Sequence, residues 1–426
     1  MRQTQSGFSQ RFVFRMLAAI FIAVCPGQIE QSRAEDWPQF LGPDRNGISK
    51  ETGLLDSWGD AGPDELWRIP GGVGMSAVAV KDGLACTMIQ TKREQQLLGF
   101  DAATGTKKWT AAIAPNYRNQ MGNGPRGTPL LTADAAFVFT GEGVLARVNL
   151  KDGSLDWKVV TLNRHPGAVM DYGMACSPVL WGTAVIVTVG ARQATVVAFD
   201  QKTGETLWTA GRAGSAGYSS PAVLQAGGQE QLVVFAGAAA FGVDSAGKEL
   251  WRYGYVTDYD CNIATPLSID GSVLISAGEN HGTTLLNLKP GGSGFDTSVA
   301  WASTGTGSML RNEWQTSILL DGYLYGFDNV GSAGPVTHLT CVRAKTGERI
   351  WREPRFGKGN MIAADGKLFA TTMKGELVVM QASPNGFQEL GRKKVIGTTR
   401  QAPSLANGRL YIRDDAEIVC FDVRRQ

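Results

Sequence analysis

The chain reads as an eight-bladed β-propeller, and three observations point there. A glycine is followed four residues later by a tryptophan five times: Gly105/Trp109, Gly153/Trp157, Gly204/Trp208, Gly247/Trp251 and Gly347/Trp351. With Trp67 and Trp301 added, the tryptophans stand 42, 48, 51, 43, 50 and 50 residues apart. Between successive tryptophans lie several short apolar runs broken by turn residues, and no stretch after residue 40 keeps a helical period. Four antiparallel strands per period of 40–50 residues, repeated around an axis, make a propeller.

Each period has the same interior. A polar stretch follows the tryptophan, then often a small residue with proline, as in Thr128-Pro129, Ser177-Pro178, Ser220-Pro221, Thr265-Pro266 and Ala402-Pro403. Two apolar runs come next, joined in many units by Asp-Gly or Asn-Gly, a hairpin signal. A third run ends in an Asp, Asn or Arg (Asp101, Asn149, Asp200, Asp244, Arg343), and a glycine turn opens the fourth run with its tryptophan. Gly386 with Leu390, four residues on, supplies an eighth repeat in which leucine stands for tryptophan.

The ends of the chain predict closure. The last unit stops at Asp422 without a fourth strand, while Glu65-Leu66-Trp67-Arg68-Ile69 is a fourth strand without a predecessor. The N-terminal strand is expected to complete the C-terminal blade and tie the termini together. The propeller therefore spans 64–426 as one domain, preceded by an extended, turn-rich strap at 35–63 (Pro38, Gly42, Pro43, Gly47) that is expected to pack over it.

The Asp-x-x-Thr-Gly-x-x-x-Trp unit, best seen at Asp200 to Trp208, resembles the repeat of the pyrroloquinoline-quinone (PQQ)-like eight-bladed propellers. That superfamily includes quinoprotein alcohol dehydrogenases and the quinone-free BamB lipoproteins of outer-membrane assembly. The resemblance covers roughly residues 64 to 426 and is specific for fold more than for function. It implies that Trp67, Trp109, Trp157, Trp208, Trp251, Trp301 and Trp351 dock blade against blade.

Residues 1–34 read as a secretory signal peptide. Arg2, Arg11 and Arg15 flank a short apolar run, Phe12 to Val24, and Ser32-Arg33-Ala34 offers a cleavage site. The run falls short of the ~20 residues of a membrane span. Val24 before Cys25 is not the small residue that lipidation requires, which argues against a lipid anchor there. Export to the periplasm or cell envelope is expected.

Formal charge is +2 for the whole chain, and removing residues 1–34 takes four arginines and one glutamate, leaving −1. No basic patch implies nucleic acid. Five cysteines follow Cys25 (Cys86, Cys176, Cys261, Cys341, Cys420), an odd number with no Cys-x-x-Cys spacing. A Cys176–Cys261 bridge is conceivable, since both precede a blade's first strand, but it is not expected.

Candidate functional residues lie in the segments that lead into each blade's first strand: Arg118, Arg126, Asp171, Tyr172, Tyr218, Asp258, Asp260, Asn262, Arg311, Asn312, Glu313, Trp314 and Arg400. Eight blades would gather them into a polar funnel of both charge signs, able to hold a small polar ligand, a peptide or an ion. No His-Glu-x-x-His or Gly-x-Ser-x-Gly occurs, and Gly141 to Ala146 matches a dinucleotide fingerprint by letters alone, since a strand follows it. The expected function is therefore a non-catalytic, monomeric binding or scaffold protein with a protein partner or small polar ligand and no cofactor. The alternative is a Ca²⁺/PQQ dehydrogenase acting on an alcohol or sugar. In that case Trp314 would stack on the quinone, and Asp258, Asp260, Asn262, Asn312 and Glu313 would supply hard oxygen ligands. The Cys-Cys pair of such enzymes is missing.

Overall fold

A computed structural model describes residues 1–2, 7, 35–59, 61–212, 214–331 and 336–425. The chain divides into two compact units, Met1–Gln31 and Ser32–Gln426, and the second carries the fold. The apolar run Phe12 to Val24, Cys25 and the cleavage site Ser32 to Ala34 lie outside the described residues.

Each period folds into four consecutive antiparallel strands, giving eight four-stranded sheets. Blades one to seven span 79–115, 130–160, 179–210, 222–254, 267–304, 318–353 and 359–394. Blade eight takes three strands from 404–422, and its outer strand is Asp64–Pro70, paired antiparallel with Glu417–Asp422. The ring closes as the orphan strand predicts. The seam is packed like a core: Trp67 meets Phe100 of blade one edge-on at 5.7 Å and Tyr411 of blade eight at 5.9 Å. Buried Arg413 crosses it, donating to Met88 O at 2.8 Å and Ser76 O at 3.2 Å.

The glycine–tryptophan spacing has a direct geometric cause. Asp200 Oδ1 accepts from the Lys202 and Thr203 amides, both at 2.9 Å, which folds the turn back on itself. Gly204 then sits at φ +71°, and a Cβ there would stand 2.9 Å from the ring of Trp157 in the preceding blade. The glycine thus meets two demands, a left-handed backbone and room for the neighbour's indole. Gly105, Gly153, Gly247 and Gly347 lie the same way against Trp67, Trp109, Trp208 and Trp301. The indole N–H groups of Trp67, Trp109, Trp157, Trp301 and Trp351 each donate to a main-chain carbonyl of the next blade's turn, as in Trp109 to Leu150 O at 3.1 Å. Trp251 donates instead to Gln231 Oε1 within its own blade, at 2.7 Å.

Every outer strand carries a one-residue bulge just before its tryptophan, as at Leu207 before Trp208 and Ile350 before Trp351. This corrects one assignment. In blade seven the bulged residue is Leu390, and Gly391, opposite Val379, holds the tryptophan's place in the ladder. Leu390 is therefore not the substitute for the missing indole. A Cβ on Gly391 would stand 2.8 Å from Nε1 of Trp58, so a strap residue lends its ring to the blade that has none.

The strap runs along the ends of the inner strands. Trp37 and Val80 of blade one exchange main-chain hydrogen bonds at 2.9 and 2.8 Å, and Leu131 of blade two donates to Pro38 O at 2.8 Å. Gly47 O accepts from Ala363 of blade seven, and Ser49 donates to Ala363 O. Buried Arg45 donates to Pro178 O at 3.0 Å and Pro221 O at 3.1 Å, where blades three and four turn into their inner strands. Glu51 accepts from the Asn407 and Gly408 amides of blade eight, both at 2.6 Å. Cys86, Cys176, Cys261, Cys341 and Cys420 are free thiols, so Cys176 and Cys261 are not bridged.

Candidate functional site

The segments entering the eight inner strands converge on one cavity of about 180 Å³. Met75 and Ala77 come from the approach to blade one, Met121, Arg126 and Thr128 from blade two, and Tyr172, Ala175 and Ser177 from blade three. Tyr218 and Ser220 belong to blade four, Ile263 to blade five, Trp314 to blade six, Asn360 to blade seven, and Arg400 and Ala402 to blade eight. Phe40 of the strap lines the same cavity.

Hydroxyl groups tie the walls together. Thr128 N donates to Ser177 Oγ at 3.0 Å, Ser177 N to Ser220 Oγ at 2.9 Å, and Ala77 N to Thr128 Oγ1 at 3.1 Å. The small-residue–proline steps visible in the sequence thus stitch adjacent inner strands. Above them Tyr172 stacks on Tyr218 with ring centroids 5.6 Å apart and planes 25° apart, and Tyr172 N donates to Tyr218 Oη. Burial pushes both phenols above their ordinary pKa, so both keep their protons at neutral pH.

Two cations line the walls. Arg126 is buried and directs Nε to Tyr172 O at 2.9 Å, Nη2 to Gly122 O at 2.7 Å and Nη1 to Gly124 O. Burial pushes its guanidinium below the ordinary value, and the like charge of Arg400 pushes the same way. Arg400 lies 5.3 Å from the Trp314 ring centroid and donates to Met121 O at 2.6 Å. Lys358 Nζ also stands over Trp314, at 4.7 Å, and is held by Glu313 at 2.7 Å.

Of the residues singled out from sequence, the structure brings Arg126, Tyr172, Tyr218, Trp314 and Arg400 together around the cavity. It places the others elsewhere. Arg118 is exposed outside the funnel. Asp171 and Asp260 line a separate cleft with Arg192 and Tyr259, and Asp258 is exposed with its carboxylate 3.6 Å from His281. Asn262 is fully buried and donates to Ala236 O at 2.6 Å, holding a loop. Arg311 grips Asp328 at 2.6 and 2.9 Å, both groups buried. Asn312 is buried against Phe327 O and the Ser317 hydroxyl. The funnel of both charge signs is thereby corrected: arginines line it and, among the described residues, no carboxylate does.

The same placements test the calcium–quinone arrangement. The side-chain oxygens of Asn262 and Asn312 accept from the Thr257 and Ser317 hydroxyls, and Glu313 is closed by Lys358. Among the described residues no group of three or more His, Cys, Asp or Glu side chains is placed to hold a metal ion. The proposed oxygen donors do not form a calcium cage around Trp314.

Sequence reasoning missed Phe40, Met75, Met121 and Ile263. Apolar residues in turn-rich segments give no chemical signal, and only the ring of eight blades shows that they face one space.

The profile of the family described as outer membrane protein assembly factor BamB matches residues 49–169, 93–353 and 335–425. The chain belongs to the BamB family of PQQ-like propellers. The outer membrane protein assembly factor BamB of Burkholderia pseudomallei (strain K96243) is 25% identical over 361 residues, covering 75% of this chain and 85% of that protein. Among solved structures, the quinohemoprotein alcohol dehydrogenase of Comamonas testosteroni superposes with a TM-score of 0.67 at 14% identity, covering 92% of this chain and 81% of that one. BamB of Moraxella catarrhalis gives 0.57 at 14% identity, covering 85% and 98%. Both structural likenesses are likenesses of fold, shared by a BamB and by a dehydrogenase.

Proposed function

We propose that this chain is an exported, non-catalytic binding protein that uses the funnel and the loop face around its mouth. Residues 1–34 direct export and are removed, and the monomer works in the cell envelope. One observation carries the reading: eight loops converge on a cavity, while the Asn262 and Asn312 side-chain oxygens accept from hydroxyls, Glu313 is paired with Lys358, and Asp258 and Asp260 are not among the residues lining it. The BamB relative supports an assembly or scaffold role, with a protein partner received on the loop face. No helix among the described residues is long and apolar enough to cross a membrane.

The dehydrogenase alternative has a direct test. The full chain is incubated with PQQ and Ca²⁺, and reduction of a dye acceptor is followed with a panel of alcohols and sugars. The binding reading predicts no reduction above the protein-free quinone control. Dye reduction that needs protein, PQQ and Ca²⁺ together would overturn it.

A further inference from the structure

We propose that the funnel is a site for a small carboxylate with an apolar or aromatic body, its charge taken by Arg400 and its body laid against Trp314. The inference rests on the reading of the funnel as a binding site and adds the chemistry of what binds.

Charge balance comes first. Arg126 and Arg400 both line the cavity, and no carboxylate among the described residues does. The acidic side chain next to Trp314 in sequence, Glu313, is neutralised by Lys358 at 2.7 Å, and Asp171 and Asp260 face a different cleft. Two positive charges therefore share a partly enclosed, largely apolar space without a counter-ion on its walls. Such a space favours an anion, because the field there is screened less than in water.

Hydrogen-bonding capacity then sets the number of charges. Arg126 spends Nε, Nη1 and Nη2 on three main-chain carbonyls and serves as wall. Arg400 spends Nη1 on Met121 O, and its Nε and Nη2 groups have no acceptor among the described residues. One guanidinium with donors to spare matches one carboxylate.

The body follows from the remaining surface. Trp314, the Tyr172–Tyr218 stack, Met75, Ile263 and Phe40 are apolar or aromatic. The Thr128, Ser177 and Ser220 hydroxyl oxygens already accept main-chain N–H groups from neighbouring strands. A sugar would find no side-chain carboxylate here to accept from its hydroxyls. A cavity of about 150 Å³ is enough to take up a benzene ring, so the roughly 180 Å³ of the funnel suits one ring with a short acidic arm.

The test uses three probes of one shape and different charge: phenylacetate, phenylacetamide and phenethylammonium. Each is titrated calorimetrically into the full chain. Phenylacetate is expected to bind saturably and about tenfold or more tighter than the amide, the scale of one charge-assisted pair. Arg400→Gln should abolish that preference, and Arg400→Lys should restore part of it, with both variants shown to be folded by circular dichroism. A Trp314→Leu variant should weaken the acid and the amide together, which separates the body contact from the charge contact. Equal binding of acid and amide, tighter binding of the ammonium, or no saturable binding of phenylacetate would overturn the proposal. None of these results touches the non-catalytic reading, which falls only if the quinone assay above shows turnover.

Discussion

At the scale of single residues, the repeat is carried by contacts between a ring and a glycine. Trp109 covers Gly153 and donates to Leu150 O, so its truncation removes both packing and a hydrogen bond. Trp58 is the informative case, because no repeat pattern marks it. Its ring covers Gly391, while its indole N–H is buried without an acceptor among the described residues. Trp58→Ala is expected to cost about 2–3 kcal/mol, below the roughly 3–5 kcal/mol of fully buried aromatic truncations because the ring is half-buried. Trp58→Phe should cost under ~1 kcal/mol, since no hydrogen bond is lost. Chemical denaturation decides: an unchanged Trp58→Ala variant would remove the strap ring from the account. Counting four residues from Gly386 reaches Leu390, yet the ladder there is set by a bulge. Spacing in the sequence cannot reveal which of two adjacent residues is bulged.

At the scale of elements, the strap does more than cover the propeller. Its Arg45 reaches carbonyls of blades three and four, Gly47 and Ser49 pair with blade seven, and Glu51 caps a turn of blade eight. Phe40, earlier in the strap, lines the funnel. The sequence showed the strap's turns, but Arg45 gave no hint of its carbonyl partners, which lie more than 120 residues away along the chain. Arg45→Met keeps the stem and strands the Pro178 and Pro221 carbonyls, each buried acceptor worth about 1–3 kcal/mol. Removal of a desolvated charge offsets part of that loss, and burial does push the Arg45 guanidinium down to about 10. The expected net is a destabilisation of roughly 2–4 kcal/mol, read from urea unfolding. A variant as stable as the parent would show that the strap rests on the ring without locking into it.

At the scale of the whole molecule, closure was legible because an unfinished last repeat and an orphan first strand are complementary by inspection. Blade number followed from period. The site was legible only in part. Tyr172, Tyr218, Trp314, Arg126 and Arg400 were found because aromatic and charged residues in irregular segments stand out, but the same signal also gathered Asn262, Arg311 and Asn312, whose polar groups hold loops. Polar residues in long connections serve ligands and backbone alike, and only the fold tells which. The resulting molecule is a ring of eight blades crossed by its own N-terminal strap, with a cationic, aromatic funnel gathered from the loops of its blades and Phe40 of the strap.

A crystal structure of the full chain grown with phenylacetate tests that picture most directly. The account predicts one ring and one carboxylate in density within the funnel, between Arg400 and Trp314, with the strap in place across the blades. Phenylacetate found only outside the eight-loop ring would contradict it.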